Sequence, residues 1–197
     1  MMTSLSVGHI IMAVKRGFSE APLLAFETSM GDLDYCSQLQ FAYHPSQHQL
    51  FRQGKLGPQW AKRYPDIFDK DDWRLHRTQH GTYHFYEWLA AVLLRESTGY
   101  LCLIEKYTSL AHERKRKLLH RIVGSEVFDW IWEHDAWAPD LFVYSLDFSD
   151  WFFCEVEGNK DKLRIPQLKQ FHQLYQKTGR KVCVLSLLPI RHQGQKK

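Results

Sequence analysis

Asp140, Glu155 and Glu157 are the residues of this 197-residue chain whose types and spacing point most directly to chemistry. Asp140 immediately precedes the apolar segment LFVYSL (141–146), and Glu155 and Glu157 lie in WFFCEVE (151–157); both segments are rich in the β-branched and aromatic residues that strands favour. The intervening Asp147-Phe148-Ser149-Asp150 has turn chemistry, so the two segments read as a β-hairpin. A turn centred between Asp147 and Phe148 sets Asp140 opposite Glu155, and directly opposed residues share a face with Cβ atoms about 5 Å apart. Alternation puts Glu157 on that same face and sends Phe152, Cys154 and Val156 to the other. Three carboxylates so placed repel unless one takes up a proton or a cation sits between them. Hard oxygen ligands select Mg²⁺ or Mn²⁺, and Mg²⁺ typically keeps waters and substrate phosphates beside one or two carboxylates. The alternative is a solvated acidic patch on an edge hairpin, which a one-residue slip in register would produce.

The elements around the hairpin must position these groups. Leu168, Phe171, Leu174 and Tyr175 form one stripe of a helix opened by Pro166 and closed by Gly179. KVCVLSLLPI (181–190) then reads as a strand buried on both faces. Upstream, Phe85, Trp88, Leu89, Val92 and Leu93 mark an amphipathic helix ending at Gly99, followed by a short strand within 100–107. Two helices, 112–122 and one capped by Ser125 and running through His134, precede the hairpin. Residues 1–80 carry weak periodicity and, in 43–73, many Pro, Gly and aromatic residues, which reads as irregular structure with short helices packed on a core. The expected organisation is an N-terminal extension (1–80), an α/β domain (81–192) and a tail (193–197).

Charge is segregated along the chain. The net +4 conceals a stretch from Ile122 to Gly158 that contains acids but no Lys or Arg. Basic segments bracket it: Lys106 to Arg121 on one side, and on the other ten basic residues from Asn159 to the end against one acid, Asp161. Arg114, Lys115, Arg116 and Lys117 open a helix, where cations oppose the dipole and call for an anion, so this run and Lys162 and Lys169 are candidate phosphate contacts. Two oppositely charged solvated faces are the plainer reading.

The hairpin and the segment after it carry a resemblance. Pro139-Asp140, then FFCEVEGNKDKLRIPQLKQFHQL, resembles the PD-(D/E)XK nuclease superfamily and, within it, the replication-repair VRR-NUC branch, whose pattern runs approximately EVKGPxDxLsxxQ. Glu155, Val156, Gly158, Asp161, Leu163 and Gln167 match in register, over about the last third of the chain. The resemblance implies a restriction-endonuclease-like core, a mixed β-sheet flanked by helices. It implies hydrolysis of DNA phosphodiesters dependent on Mg²⁺ or Mn²⁺, with Asp140, Glu155 and the Val156 carbonyl as metal ligands. It also makes Glu87, on the first helix, a candidate ligand, and Gln167 a group that holds a phosphate or orients a metal water. One departure stands out: the family's catalytic Lys is here Glu157. Lys160 or Lys162 replaces that charge, or Glu157 recruits a second metal, or catalysis is lost and a DNA- or RNA-binding module of the same fold remains. A third class is a protein-interaction subunit that presents its acidic hairpin to a partner.

Other patterns are weaker. His76, His80 and His84 are spaced four apart, but Gly81 interrupts them and no further ligand is fixed, so they read as ordinary histidines. Trp130, Trp132 and Trp137 read as packing residues rather than a base-stacking platform. The four cysteines form no CxxC pair, no apolar run is long enough to span a membrane, and the first residues lack the order of a signal peptide. The expectation is an intracellular protein, cytoplasmic or nuclear.

Overall fold

The computed structural model describes residues 33–70, 72, 84–104, 107–133, 138–158 and 161–190. Five strands, β1 (Cys36–Tyr43), β2 (Leu101–Ile104), β3 (Leu141–Tyr144), β4 (Trp151–Glu157) and β5 (Val182–Pro189), form one mixed sheet in the order β1-β5-β4-β3-β2. β2, β3 and β4 make an antiparallel meander, whereas β5 runs parallel to both β4 and β1. Six helices are described: α1 (Pro45–Arg52), α2 (Leu56–Arg63), α3 (Phe85–Thr98), α4 (Glu113–Val123), α5 (Ser125–Glu133) and α6 (Ile165–Thr178). None of the helices among the described residues is long and apolar enough to cross a membrane.

Strand alternation divides the core into two layers. Cys102, Leu141, Val143, Cys154, Cys183, Leu185 and Leu187 face one side, where α1, α2 and α3 cover them with Phe51, Trp60, Phe85, Trp88 and Leu89. Leu103, Phe142, Tyr144, Trp151, Phe153, Val182 and Val184 face the other, against Leu119 of α4, Ile131 of α5, and Phe171 and Leu174 of α6. With a helical layer on each face, the interior strand β5 reads as a nearly continuous apolar run, interrupted by Ser186.

The hairpin register is the expected one: Leu141 pairs with Cys154 and Tyr144 with Trp151. Its turn is held by the Asp147 carboxylate, which accepts from the Ser145 and Ser149 hydroxyls and the Ser149 N–H. Gly99 and Gly179 close α3 and α6 in the left-handed region, at φ 79° and 67°.

Two differences from the sequence reading concern the first half of the chain. Residues 36–43 are not irregular: they form the edge strand beside β5, so the segment assigned to an extension contributes to the same sheet. Ser37, Gln38 and Gln40 dilute the apolar alternation of Leu39, Phe41 and Tyr43, which hides the strand. The buried stripe of α3 is also wider than expected, taking in Ala90, Ala91 and Leu94.

Candidate active site

Asp140 and Glu155 meet on the sheet face covered by α6. Asp140 immediately precedes β3, where the Tyr107 hydroxyl donates to the Pro139 carbonyl at 2.6 Å and fixes the entry to the strand. The Val156 N–H donates to Asp140 Oδ2 at 2.9 Å, tying the carboxylate to β4. One residue away, Glu155 accepts from the Gln167 amide in the first turn of α6. Burial pushes the Glu155 carboxyl up to about 8, with the Asp140 charge adding to it, while hydrogen bonds from Gln167 and the Asp140 backbone pull the other way.

Gln167 is positioned by the helix it starts. Arg164 is the N-cap of α6, and its backbone N–H needs an acceptor that the helix cannot provide. Gln167 Oε1, three residues on, accepts that N–H at 2.8 Å and the Arg164 Nε at 3.3 Å, leaving the Gln167 amide aimed at Glu155. The spacing of Arg164, Pro166 and Gln167 is thus a helix-start device that also delivers a donor to the acidic pair.

Glu157 does not complete a three-carboxylate cluster. Among the described residues, no three His, Cys, Asp or Glu side chains come together as a metal-binding group. Glu157 is buried and lies near Asp161 and Arg164: burial raises its carboxyl, Asp161 adds to that rise, and Arg164 opposes it. Its charge still reaches Glu155, less strongly than that of Asp140. The cause is the turn after β4, where Gly158 and Asp161 close on each other: the Gly158 N–H donates to Asp161 Oδ2 at 3.0 Å and the Asp161 N–H to the Gly158 carbonyl at 3.1 Å.

Gly158 is dictated by space. A Cβ there would lie 2.7 Å from the Asp161 carboxylate and 2.8 Å from the Tyr86 ring. Tyr86 brings the start of α3 to the end of β4, but α3 covers the sheet face opposite the acidic pair. Glu87, half-buried in that first turn, joins no metal-binding group with Asp140 and Glu155.

The basic run at the start of α4 is largely engaged within the chain. Lys115 is 1% exposed, donates to Asp72 and to the Ile104 carbonyl, and cannot contact a nucleic acid as the sequence suggested. Arg114 binds Asp69 with Nε at 2.9 Å and Nη2 at 2.6 Å. Lys117 pairs with Glu113 at 2.6 Å, and the Arg116 guanidinium lies 5.6 Å from the Trp132 ring centre. Asp69 and Asp72 thus supply carboxylates to Arg114 and Lys115 at this helix start. Lys162 and Lys169 are exposed near and along the start of α6. Lys160 lies outside the described residues, as do His76, His80 and Trp137. The sequence reading counts Arg164 only among the basic residues after the hairpin; its place three residues before a helix-start Gln is the signal for the Arg164–Gln167 contact.

The chain matches no family model, and no curated protein matches it in sequence.

Two of the oxygen ligands that the sequence reading assigns to a divalent cation come together here. Asp140 and Glu155 provide two close carboxylates, one of them raised by burial and by the other's charge, and the Val156 carbonyl lies in the same stretch of β4.

Proposed function

We propose that this protein is a metal-dependent nuclease that hydrolyses DNA phosphodiester bonds, with a restriction-endonuclease-like core similar to that of VRR-NUC proteins. The observation that carries the reading is the Asp140–Glu155 pair, set across the start of the β3–β4 hairpin and held by Gln167. The order α3, β2-β3-β4 meander, α6, parallel β5 supports it, because that arrangement carries the resembling motif on the strand and helix where a nuclease of this kind would use it. Two carboxylates repelling in a partly buried setting call for a cation, and a phosphodiester is the anion such a cation would share.

Asp140 and Glu155 would hold the metal, with the Val156 carbonyl as a further oxygen ligand. A bound Mg²⁺ or Mn²⁺ would polarise the phosphoryl oxygen and supply hydroxide at neutral pH. Gln167 keeps the Glu155 carboxylate turned toward Asp140, and the Val156 N–H does the same for Asp140. Glu157, where the motif Lys would stand, favours a second reading: a nucleic-acid-binding module of the same fold that does not cleave.

Purified protein incubated with labelled single-stranded, duplex, flap and branched DNA, with and without Mn²⁺ or Mg²⁺, separates these readings. Metal-dependent cleavage abolished by Asp140→Ala and by Glu155→Ala is the expected result. Cleavage that survives both substitutions would remove the assigned site, and salt-sensitive binding without cleavage of any substrate would select the module.

A further inference from the structure

The acidic end of the hairpin needs a cation of its own if it is to hold an anionic substrate. Asp140, Glu155 and Glu157 share one face, and no Lys or Arg occurs between Ile122 and Gly158. Among the described residues, Arg164 is the cation tied to the pair by hydrogen bonds: its Nε donates to Gln167 Oε1, and the same Gln167 donates to Glu155. Arg164 is exposed, and among the described residues its guanidinium has no carboxylate at ion-pair distance and no hydrogen bond beyond the one from Nε, although its charge reaches the buried Glu157 carboxyl. That sets it apart from Arg63, Arg95, Arg114, Lys117, Lys177 and Arg180, each of which has a carboxylate partner. A guanidinium anchored through Nε still presents its other N–H groups, in a planar fork that suits two phosphate oxygens. The first turn of α6 carries no acidic residue, so the positive end of this 14-residue helix adds to the same field.

We infer that Arg164 is the phosphate-binding residue of this site: anchored by Gln167, it engages the nucleic-acid phosphate facing Asp140 and Glu155 and provides the positive charge that Glu157 does not. The inference rests on the nuclease reading for the consequence in cleavage, but the phosphate contact is measurable without it. In cleavage, the guanidinium stabilises the extra negative charge on the phosphoryl oxygens as the attacking oxygen adds and the leaving oxygen departs. Lys would not be an equal replacement, because an ammonium on a flexible stem lacks both the fork and the Nε anchor.

The test uses the full chain with Arg164→Ala, Arg164→Lys, Glu157→Lys, the double variant Arg164→Ala/Glu157→Lys, and Lys62→Ala as a distant basic control on α2. Each variant is first melted to establish that it folds; Arg164→Ala keeps the backbone N–H that bonds Gln167, so the helix start is retained. Binding of a labelled single-stranded DNA oligonucleotide is then measured against salt concentration in metal-free buffer, where hydrolysis does not interfere. Arg164→Ala should weaken binding and flatten the log–log salt dependence by about 0.7, the value for one phosphate contact on a single strand. Arg164→Lys should keep the slope but not the full affinity, and Lys62→Ala should change neither. In single-turnover cleavage with Mn²⁺, Arg164→Ala should slow the reaction by about 10²–10³-fold, and Glu157→Lys in that background should recover at least about tenfold. A salt dependence and affinity for Arg164→Ala equal to those of the parent would overturn the inference, even if the parent cleaves DNA. Parent protein that cleaves nothing, while Arg164→Ala still loses a phosphate contact, would remove the nuclease reading and leave Arg164 in place.

Discussion

Gln167, in the first turn of α6, donates its amide to Glu155 on β4 while its carbonyl accepts the N–H of Arg164. One side chain thus starts a helix and restrains a carboxylate that would otherwise be repelled by Asp140. Gln167→Ala removes both services. The cap alone is worth about 1 kcal/mol, and Glu155, losing a donor that favours its ionised form, should bind protons more tightly. The expected outcome is a lower urea midpoint together with weaker Mn²⁺ binding by calorimetry at neutral pH, the latter shrinking as pH rises. Gln167→Glu should be worse than Ala for metal-free folding at high pH, because it sets a third carboxylate against Glu155.

The acidic pair makes stability depend on pH. Glu155 titrates near 4.5 when unfolded and is raised to about 8 in the fold, chiefly by burial and then by the Asp140 charge. A raised carboxyl binds its proton more tightly in the folded protein, so the associated stability is complete below 4.5 and is lost as pH climbs through about 8. Metal-free protein should therefore melt at progressively lower temperature across that window. Glu155→Gln should flatten the profile, and Mn²⁺ or Mg²⁺ should raise the melting temperature most at its alkaline end, where binding no longer has to displace a proton. A melting temperature that is independent of pH between 4.5 and 8, in both parent and Glu155→Gln, would contradict this assignment.

Much of this site was legible because it depends on local rules. The turn at Asp147-Phe148 and strict alternation were sufficient to place Asp140 against Glu155, and the Pro166 and Gly179 signals bounded α6. What was not legible depends on contacts distant in sequence. The basic run of α4 looked like a surface for phosphate because Asp69 and Asp72, more than forty residues earlier, gave no sign of reaching it. Glu157 shared a face with the pair, as alternation requires, but the Gly158–Asp161 turn gives it neighbours that strand periodicity does not describe. The edge strand β1 was obscured by Ser37, Gln38 and Gln40, polar residues that an outer strand tolerates more readily than a central one.

Lys115 provides a prediction that separates a structural cation from a binding one. Its ammonium is buried between Asp72 and the Ile104 carbonyl, linking α4 to β2. Lys115→Met leaves Asp72 buried opposite an apolar chain, and breaking a buried pair from one side costs about 3–5 kcal/mol. Replacing both, Lys115→Met with Asp72→Leu, should recover a large part of that loss in urea denaturation. DNA affinity, measured where each variant is fully folded, should be the same as in the parent; a Lys115 that contacted phosphate would instead flatten the salt dependence of binding.

Gly158 connects the two faces of the sheet at the end of β4, and its substitution should be read through Tyr86. In Gly158→Ala the new methyl meets the Tyr86 ring on one side and the Asp161 carboxylate on the other, both closer than carbon and its neighbours normally approach. Either the α3 start must retreat or the 158–161 turn must open, and overpacking of this kind costs about 1–3 kcal/mol. The side chain that yields decides the consequence. If Tyr86 carries the strain, Tyr86→Ala in the Gly158→Ala background should restore most of the lost stability and leave metal binding at Asp140 and Glu155 unchanged. If the turn yields instead, the hydrogen bond from Gly158 to Asp161 is lost and the start of α6 moves. Mn²⁺ affinity would then fall with stability, because Gln167 and Arg164 both hang from that start. Denaturation and calorimetry on the parent, Gly158→Ala and the double variant distinguish the two. The Tyr86 ring is packed against the Tyr43, His48 and Phe85 rings and so cannot simply swing clear, which makes rescue by Tyr86→Ala the expected result.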